Sequence, residues 1–481
     1  MPVISGKQFI DRLNKLHPAV WYKGSKIEGP ISEHPAYKGA IRTKAELYDL
    51  QHHPEKVDRM TYQCPETNER KGLSYLRPQT KEDLTKRSAM MTEWAKKTHG
   101  MMGRTPDYMN TAVMALAASA AILEDQDDDF AQNLVRLYER ASREDLSFTH
   151  SFINPQANRS AAYYESDHHP VAARVIKKTA EGLIVKGARL LATEGGMTDE
   201  VLVFPSGGGK QSKEHAFSFS IPSNTKGLSF LCRESFAPGD SAFNYPLSSR
   251  FEEMDTLIMF DDVLVPWDRV FFYHRPDLAA KLFNESSFAS QALHQVVNRQ
   301  LVKLEYLLGL AQLLVSALNV SEYQHIQEKI SELIIGCEVI SALHQKSEHT
   351  AALDQWGTMC PNLQPLYAAI CLNSKLYPAY IEILQLIGAG GYLTIPSEED
   401  FESEIAEKAD HFLQGAAIDG KMKTALFRLA WDTTMSSFGG RQTQYERFFF
   451  GDPVRLRSNL YRFYPRQHMM DEVLSFLDYR N

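Results

Sequence analysis

The spacing of apolar residues changes twice along this 481-residue chain, and those two changes restrict what it can fold into. Up to about residue 146 apolar side chains recur at helical intervals, predicting helices over 6–16, 43–52, 81–99, 106–123 and 130–144. From Leu146 to about Phe272 the interval drops toward two, among many Gly, Pro, Ser and Thr. Its strands read Leu183-Ile-Val-Lys-Gly, Glu200-Val-Leu-Val-Phe, His215-Ala-Phe-Ser-Phe-Ser-Ile, Leu228-Ser-Phe-Leu-Cys and Thr256-Leu-Ile-Met-Phe-Asp-Asp-Val-Leu-Val. After Pro276 the helical interval returns, over 288–318, 320–350, 365–387, 401–415 and 421–438. The expectation is an α+β chain with an N-terminal helical domain over 1–146, a β domain over 147–276 and a helical domain over 277–481. Short strands separated by turns fit a small barrel better than an open parallel sheet, and long apolar-striped helices fit a four-helix bundle.

The chemistry concentrates first at Gly100-Met-Met-Gly-Arg-Thr-Pro-Asp-Tyr-Met-Asn110. Thr105 suits a helix N-cap, Pro106 the first helical position and Asp107 an acid in the first turn. Arg104 then sits just outside the helix and Tyr108 one turn inside it. A helix start offers free N–H groups and positive potential, to which Arg104 adds a charge and Tyr108 a hydroxyl. Such a corner suits a phenolate, a carboxylate or a peroxide. The same residues also suit a capped helix whose Arg and Tyr only tie down a loop.

Several classes are disfavoured. A net charge of -8 without a clustered basic surface argues against nucleic acid. Five scattered cysteines without CxxC spacing signal neither a disulfide framework nor a zinc site, and no metal is expected. No basic region followed by an apolar run opens the chain, and no stretch reaches about 20 uncharged apolar residues, so cytoplasm is the default and no membrane partner is expected. No GxGxxG links a strand to a helix; Gly388-Ala-Gly-Gly391 follows a helical stretch and reads as its stop. Gly207-Gly-Gly209-Lys210 lacks the first glycine and the hydroxyl residue of a phosphate loop, and fits a hairpin better. The acidic run from Asp125 to Asp129 has no accompanying histidine and reads as a solvated loop or cap.

Four blocks carry a family resemblance: Gly-Met-Met-Gly-Arg-Thr-Pro-Asp-Tyr at 100 to 108, Thr-His-Ser-Phe-Ile-Asn-Pro-Gln-Ala-Asn-Arg at 149 to 159, Met-Asp-Thr-Leu-Ile-Met-Phe-Asp-Asp-Val-Leu-Val-Pro-Trp-Asp-Arg at 254 to 269, and Tyr-Glu-Arg-Phe-Phe-Phe-Gly-Asp-Pro-Val-Arg at 445 to 455. In order and spacing the chain resembles the oxygenase component of the 4-hydroxyphenylacetate 3-monooxygenase family along essentially its whole length. The resemblance implies an acyl-CoA dehydrogenase-like fold, assembled as a homotetramer, and FAD received as FADH2 from a separate NAD(P)H:flavin reductase. It implies that FADH2 and O2 form a C4a-hydroperoxyflavin that hydroxylates a 4-substituted phenol ortho to its hydroxyl, giving a catechol. On this resemblance Arg104, Tyr108 and His150 are catalytic and hold the phenol oxygen, with His150 titrating near neutral pH to favour the phenolate. Ser206 and Gly207, in the 205–214 hairpin, would meet the substrate's acid group, with Lys210 or Lys213 nearby. His150, Ser151, Phe152, Gln156, Ala157, Asn158, Arg159, Thr193, Asp452, Pro453, Val454 and Arg455 match flavin-contacting segments, with Arg159 and Arg455 suited to pyrophosphate. The family tends to have threonine where Leu191 stands and no acid at Glu194. The substrate ranked first is 4-hydroxyphenylacetate; phenol, coumarate, tyrosine-like amines and chlorophenols are alternatives. Enzymes like 4-hydroxybutyryl-CoA dehydratase or an acyl-CoA dehydrogenase are further readings. The dehydratase needs cysteines beside Thr98-His99-Gly100-Met101-Met102, where none stands.

Overall fold

The computed structural model describes residues 3–126, 129–155, 171–205 and 212–477. Helices Gly6–Leu16, Lys38–Leu50, Lys81–Lys97, Pro106–Ala118 and Phe130–Glu144 precede the main strands. Their starts follow local chemistry. Ser5 with Gln8, and Thr80 with Asp83, form reciprocal capping boxes, and Pro106 occupies the first turn as expected. The expected capping bond from Thr105 is not made: its hydroxyl is drawn to the Asp107 carboxylate and accepts from the Gln295 amide at 3.5 Å.

The segment from Phe148 to Tyr273, joined by two short strands near the N-terminal end of the chain, forms two sheets. One runs in the order Ser25–Lys26, Val20–Tyr22, Leu228–Cys232, Asp255–Pro266, Gly182–Thr193, Arg174–Lys178. The other runs Val270–Tyr273, Phe217–Pro222, Glu200–Val203, Phe148–Ser151. Their inner faces share a core that includes Phe217, Phe219, Phe230, Phe260 and Val263, closed from one side by Phe9, Leu13, Tyr37 and Tyr48 of the first two helices. The expected barrel does not close among the described residues. Phe148–Ser151 meets Gly182–Thr193 not through a ladder but through Thr149 Oγ1 donating to the Thr193 carbonyl at 2.7 Å, Ser151 Oγ donating to the Leu190 carbonyl at 3.0 Å, and one isolated bridge, Ile153 to Leu190. The cause is local. Leu191 adopts φ 63°, and the register of Gly182–Thr193 against Asp255–Pro266 slips beside it, so the strand is bent out of line for further pairing.

The C-terminal helices form the expected bundle. Phe288–Leu318 packs against Gln324–His349, Leu363–Gly388 and Gly420–Thr434, and its other side meets Lys81–Lys97 and Pro106–Ala118. By length and composition Phe288–Leu318 is apolar enough to cross a membrane, yet it lies at the centre of this packing. Leu363–Gly388 stops where the glycine-rich run predicts, at Ala389 with φ 45°.

One ion cluster pins the following helix, Ser437–Phe448, to the bundle. Glu446, wholly buried, accepts from Arg299 at 2.7 Å, Lys303 at 2.9 Å, Gln300 at 3.1 Å and Asn373 at 3.3 Å. Arg299 also donates to the Gly100 carbonyl at 2.8 Å, so the same cluster fixes the loop that leads into Arg104. Removing one partner from a buried pair leaves uncompensated charge behind. Glu446→Ala is therefore expected to cost about 3–5 kcal/mol of stability, read by thermal or denaturant unfolding. A loss below about 1 kcal/mol, typical of an exposed pair, would contradict that account of the cluster.

Candidate active site

Three segments meet in front of the helix Pro106–Ala118: the loop carrying Arg104, the strand Phe148–Ser151, and the end of the helix Ser437–Phe448. The Arg104 guanidinium lies between two rings, with its carbon 4.4 Å from the Tyr108 centroid and 4.5 Å from that of Phe449. It donates to the Tyr445 hydroxyl at 3.2 Å. Gly103 is required beside it, because a Cβ there would stand 1.9 Å from that hydroxyl oxygen. Arg104 is only 8% exposed, and among the described residues its guanidinium has no carboxylate partner.

His150 faces this cation. Its ring centroid is 5.7 Å from that of Tyr108 and 4.1 Å from that of Phe152, and Phe152 packs on Phe204 and Phe288. His150 is 5% exposed, and among the described residues neither ring nitrogen has a hydrogen-bond partner. Burial, reinforced by the Arg104 charge, pushes its pKa well below the ordinary histidine value. This corrects the expectation of an imidazole titrating near neutral pH: the ring is neutral there, with one lone pair and one N–H to offer. Burial raises the Tyr108 phenol, with Arg104 opposing, so Tyr108 is a neutral donor as well.

Behind the corner runs a chain of buried charges. The Arg104 backbone N–H donates to Glu253 at 2.6 Å, and Arg441 donates to the other Glu253 oxygen at 3.2 Å. Arg441 also grips Asp255 with two bonds of 2.8 and 2.9 Å, and Asp255 accepts the Thr193 hydroxyl at 2.7 Å and Arg233 at 3.1 Å. Burial pushes the Asp255 carboxyl up, but Arg441 and Arg233 overrule it and hold the group far below the usual carboxylate range. With its proton committed to Asp255, Thr193 presents only oxygen lone pairs to anything else. Glu194 is wholly buried in an ion pair with Lys44, and burial pushes its pKa up to about 7 against that pull. It is therefore turned away from the open edge, where Leu191 is 50% exposed.

The structure thus brings Arg104, Tyr108 and His150 together, with Phe152 alongside. Ser151 is buried, and its hydroxyl is spent on the Leu190 carbonyl. Asp452 caps the helix Pro453–Phe463, accepting from the Val454 N–H at 2.9 Å, and Val454 and Arg455 lie on the surface. No hydrogen bond or ion pair among the described residues joins Asp452, Pro453, Val454 or Arg455 to His150 or Thr193. Gln156, Ala157, Asn158, Arg159, Ser206, Gly207 and Lys210 lie outside the described residues, and Lys213 is exposed in a short 3-10 turn. Tyr445, Phe449, Glu253 and Arg441 belong to the site and were not assigned from sequence. Two of them fall inside the quoted 445 to 455 block, whereas Glu253 and Arg441 stand outside every block and carry no periodic signal.

Comparison with known proteins gives the family. The family model for the 4-hydroxyphenylacetate 3-hydroxylase N terminal region matches residues 5–272, and the one for its C terminal region matches residues 279–478. The "Probable 4-hydroxyphenylacetate 3-monooxygenase" of Bacillus subtilis is 54% identical, over 99% of this chain and 99% of its own. The crystal structure of the oxygenase component (HpaB) of 4-hydroxyphenylacetate 3-monooxygenase complexed with FAD and 4-hydroxyphenylacetate is 42% identical, with a TM-score of 0.95 over 99% of this chain and 98% of that one. An archaeal 4-hydroxybutyryl-CoA dehydratase from N. maritimus shares the fold alone, at 20% identity and a TM-score of 0.88 over 100% of this chain and 96% of its own. With family models covering both the Arg104–His150 corner and the bundle behind it, the chain belongs to the 4-hydroxyphenylacetate 3-hydroxylase family.

Proposed function

We propose that this chain is the oxygenase component of a two-component flavin monooxygenase, which hydroxylates 4-hydroxyphenylacetate ortho to its hydroxyl to give a catechol. The observation that carries this reading is a buried guanidinium without a carboxylate partner among the described residues, facing a neutral imidazole with both nitrogens unpartnered. Unsatisfied buried polar groups are costly unless a ligand completes them, and a phenol oxygen completes these. Reduced FAD, delivered by a separate reductase, together with O2 supplies the electrophilic oxygen atom.

The residues present fit the flavin. Thr193 offers lone pairs at the seam between the sheets, and Leu191 and Ile153 leave an apolar edge open beside it. The chain's own work lies on the substrate side. His150 accepts the phenol proton in a hydrogen bond, and Arg104 with Tyr108 stabilises the negative charge that develops on the oxygen. Phe152, Phe204 and Phe288 keep water away. The dehydratase relative supports the fold and not its chemistry, since no cysteine lies in the 98–110 segment.

Assembly extends the proposal. Leu313, Ile335, Leu386, Phe463 and Phe476 are exposed on bundle and C-terminal helices, Ile335 at 60% and Phe476 at 88%. Apolar surface of that kind asks for a partner. A homotetramer covers it, and a neighbouring chain would also bring a second Asp452–Arg455 surface within reach of a flavin.

The proposal yields three outcomes. With reduced FAD from an added flavin reductase, His150→Ala should lose about 10²- to 10⁴-fold in catechol formation and release hydrogen peroxide instead. Full coupling of oxygen uptake to catechol in that variant removes His150 from the chemistry. The second concerns pH. His150 has a folded pKa below its unfolded one, so its contribution to stability is complete above about 6.5 and is lost as pH falls toward the depressed value. Its ring resonances should accordingly show no titration between pH 8 and 6.5, and a midpoint at 6.5 or above contradicts the burial argument. Third, sedimentation should give four chains for the native protein and fewer for Ile335→Asp; a native single chain rejects the assembly.

A further inference from the structure

Among the described residues, one unassigned cluster of coordinating groups lies between the helices Phe288–Leu318 and Gln324–His349. His344 and Glu348 stand four residues apart, hence on one face of the second helix, and His294 approaches from the first. One ligand atom from each lies within 4.8 Å of the others. His294 Nε2 is 2.8 Å from Glu348 Oε1, and His344 Nε2 is 4.0 Å from the same oxygen. Both histidines are buried while the Glu348 side chain is 21% exposed, and among the described residues His344 Nε2 has no hydrogen-bond partner although it lies 4.0 Å from Glu348 Oε1. Ser88 of the helix Lys81–Lys97 accepts from Asn298 at 3.0 Å beside this cluster. Burial pushes the Glu348 carboxyl up, but the two histidines, and after them the Ser88 hydroxyl, hold it below its ordinary value.

A protein-only account leaves the His344 nitrogen without a partner in a place water barely reaches. A cation accounts for all three side chains at once. We propose that His294, His344 and Glu348 form a site for a divalent first-row transition ion of the zinc class, with water in the remaining position. Two imidazoles and one carboxylate are a donor set for such ions, whereas magnesium and calcium favour oxygen donors. Ligand atoms on one tetrahedral zinc sit about 3.3 Å apart, so the 2.8 Å pair must open and the 4.0 Å pair must close by less than about 1 Å each, while the two imidazole donors, within 4.8 Å of each other, must close by up to about 1.5 Å. The rings now lie parallel, with centroids 4.9 Å apart, so the His344 ring must also turn about its Cβ–Cγ bond, a soft torsion. As the metal enters, His294 offers it the Nε2 lone pair and carries its single ring proton on Nδ1, which has no hydrogen-bond partner among the described residues.

The site would act as a strut rather than as part of the oxygenation chemistry. Gln295, the neighbour of His294, donates to Asp107 at 3.1 Å, so a metal tying the two bundle helices together also stiffens the start of the helix that carries Tyr108. This inference does not depend on the proposed reaction.

The test uses the full-length protein, stripped of metal with a chelator and titrated with Co2+. The expected result is one ion per chain, with visible d–d absorption that Zn2+ displaces. Glu348→Gln and His344→Ala should each weaken Co2+ binding by more than the roughly 10- to 100-fold that losing a mere supporting partner costs. His325→Ala, at an exposed histidine, should leave it unchanged. Circular dichroism checks that the variants fold, and the near-isosteric Glu348→Gln decides alone if His344→Ala does not. Absence of Co2+ binding by the native protein, or binding equal in native and Glu348→Gln protein, overturns the site.

Discussion

Everything at the candidate active site hangs on Arg441. It is buried, and its three nitrogens are all committed, two to Asp255 and one to Glu253. Charges removed from water persist only where geometry is good and opposite charges are close. Here that requirement is met from two directions, because Glu253 also takes the Arg104 backbone N–H and Asp255 also takes the Thr193 hydroxyl and Arg233. The loop before the Tyr108 helix and the strand end at Thr193 are therefore fixed relative to each other by one guanidinium. Its ring contact with Tyr445, 5.0 Å from centroid to guanidinium carbon, adds the third wall of the corner.

Arg104 shows the opposite treatment of the same chemical group. Arg441 and Arg299 are each matched by buried carboxylates, whereas Arg104 is given two aromatic faces and a tyrosine hydroxyl. A guanidinium between ring faces is attracted to them without being neutralised. Its field remains available, and one visible effect is that it helps keep His150 uncharged. A neutral histidine beside a fixed cation is poised to accept a proton from a phenol while the cation takes up the resulting charge. Placing a carboxylate near enough to pair with Arg104 would stabilise the empty site and blunt that response.

The layout was legible because it rests on periodicity. Gly6–Leu16, Phe130–Glu144 and Phe288–Leu318 begin and end where the apolar spacing does. Elements too short to show a period were not legible: Val20–Tyr22 joins the larger sheet in parallel with Leu228–Cys232, and three residues carry no pattern. Arg104, Tyr108 and His150 were found through sequence blocks, which also contain Asp255, Tyr445 and Phe449. Glu253 and Arg441 were not, since their roles depend on meeting across 188 positions of chain. The same holds for His294 and His344. The four-residue spacing to Glu348 was in view, but a lone His–Glu pair on a helix is ordinary without a third ligand from another helix.

The open seam between the sheets is the least foreseeable feature and accompanies two left-handed residues at one strand end, Leu191 at φ 63° and Glu194 at φ 65°. Strand pairing in register would have carried Phe148–Ser151 onto Gly182–Thr193 and joined the two sheets along one seam, a step toward the barrel that the strand spacing alone suggests. Leu191 in the left-handed region prevents this, and the hydroxyls of Thr149 and Ser151 satisfy backbone carbonyls that a ladder would otherwise have used. Leucine is a costly residue at that φ, so the bend is held by its surroundings: the Glu194 N–H donating to the Met254 carbonyl at 2.7 Å, and the buried Lys44–Glu194 pair. An unusual conformation maintained by a buried ion pair on one side leaves an apolar, half-exposed edge on the other, next to Thr193 and one strand away from His150. A flat aromatic cofactor fits an edge of that kind, and the protein's own buried contacts hold the bend ready for it.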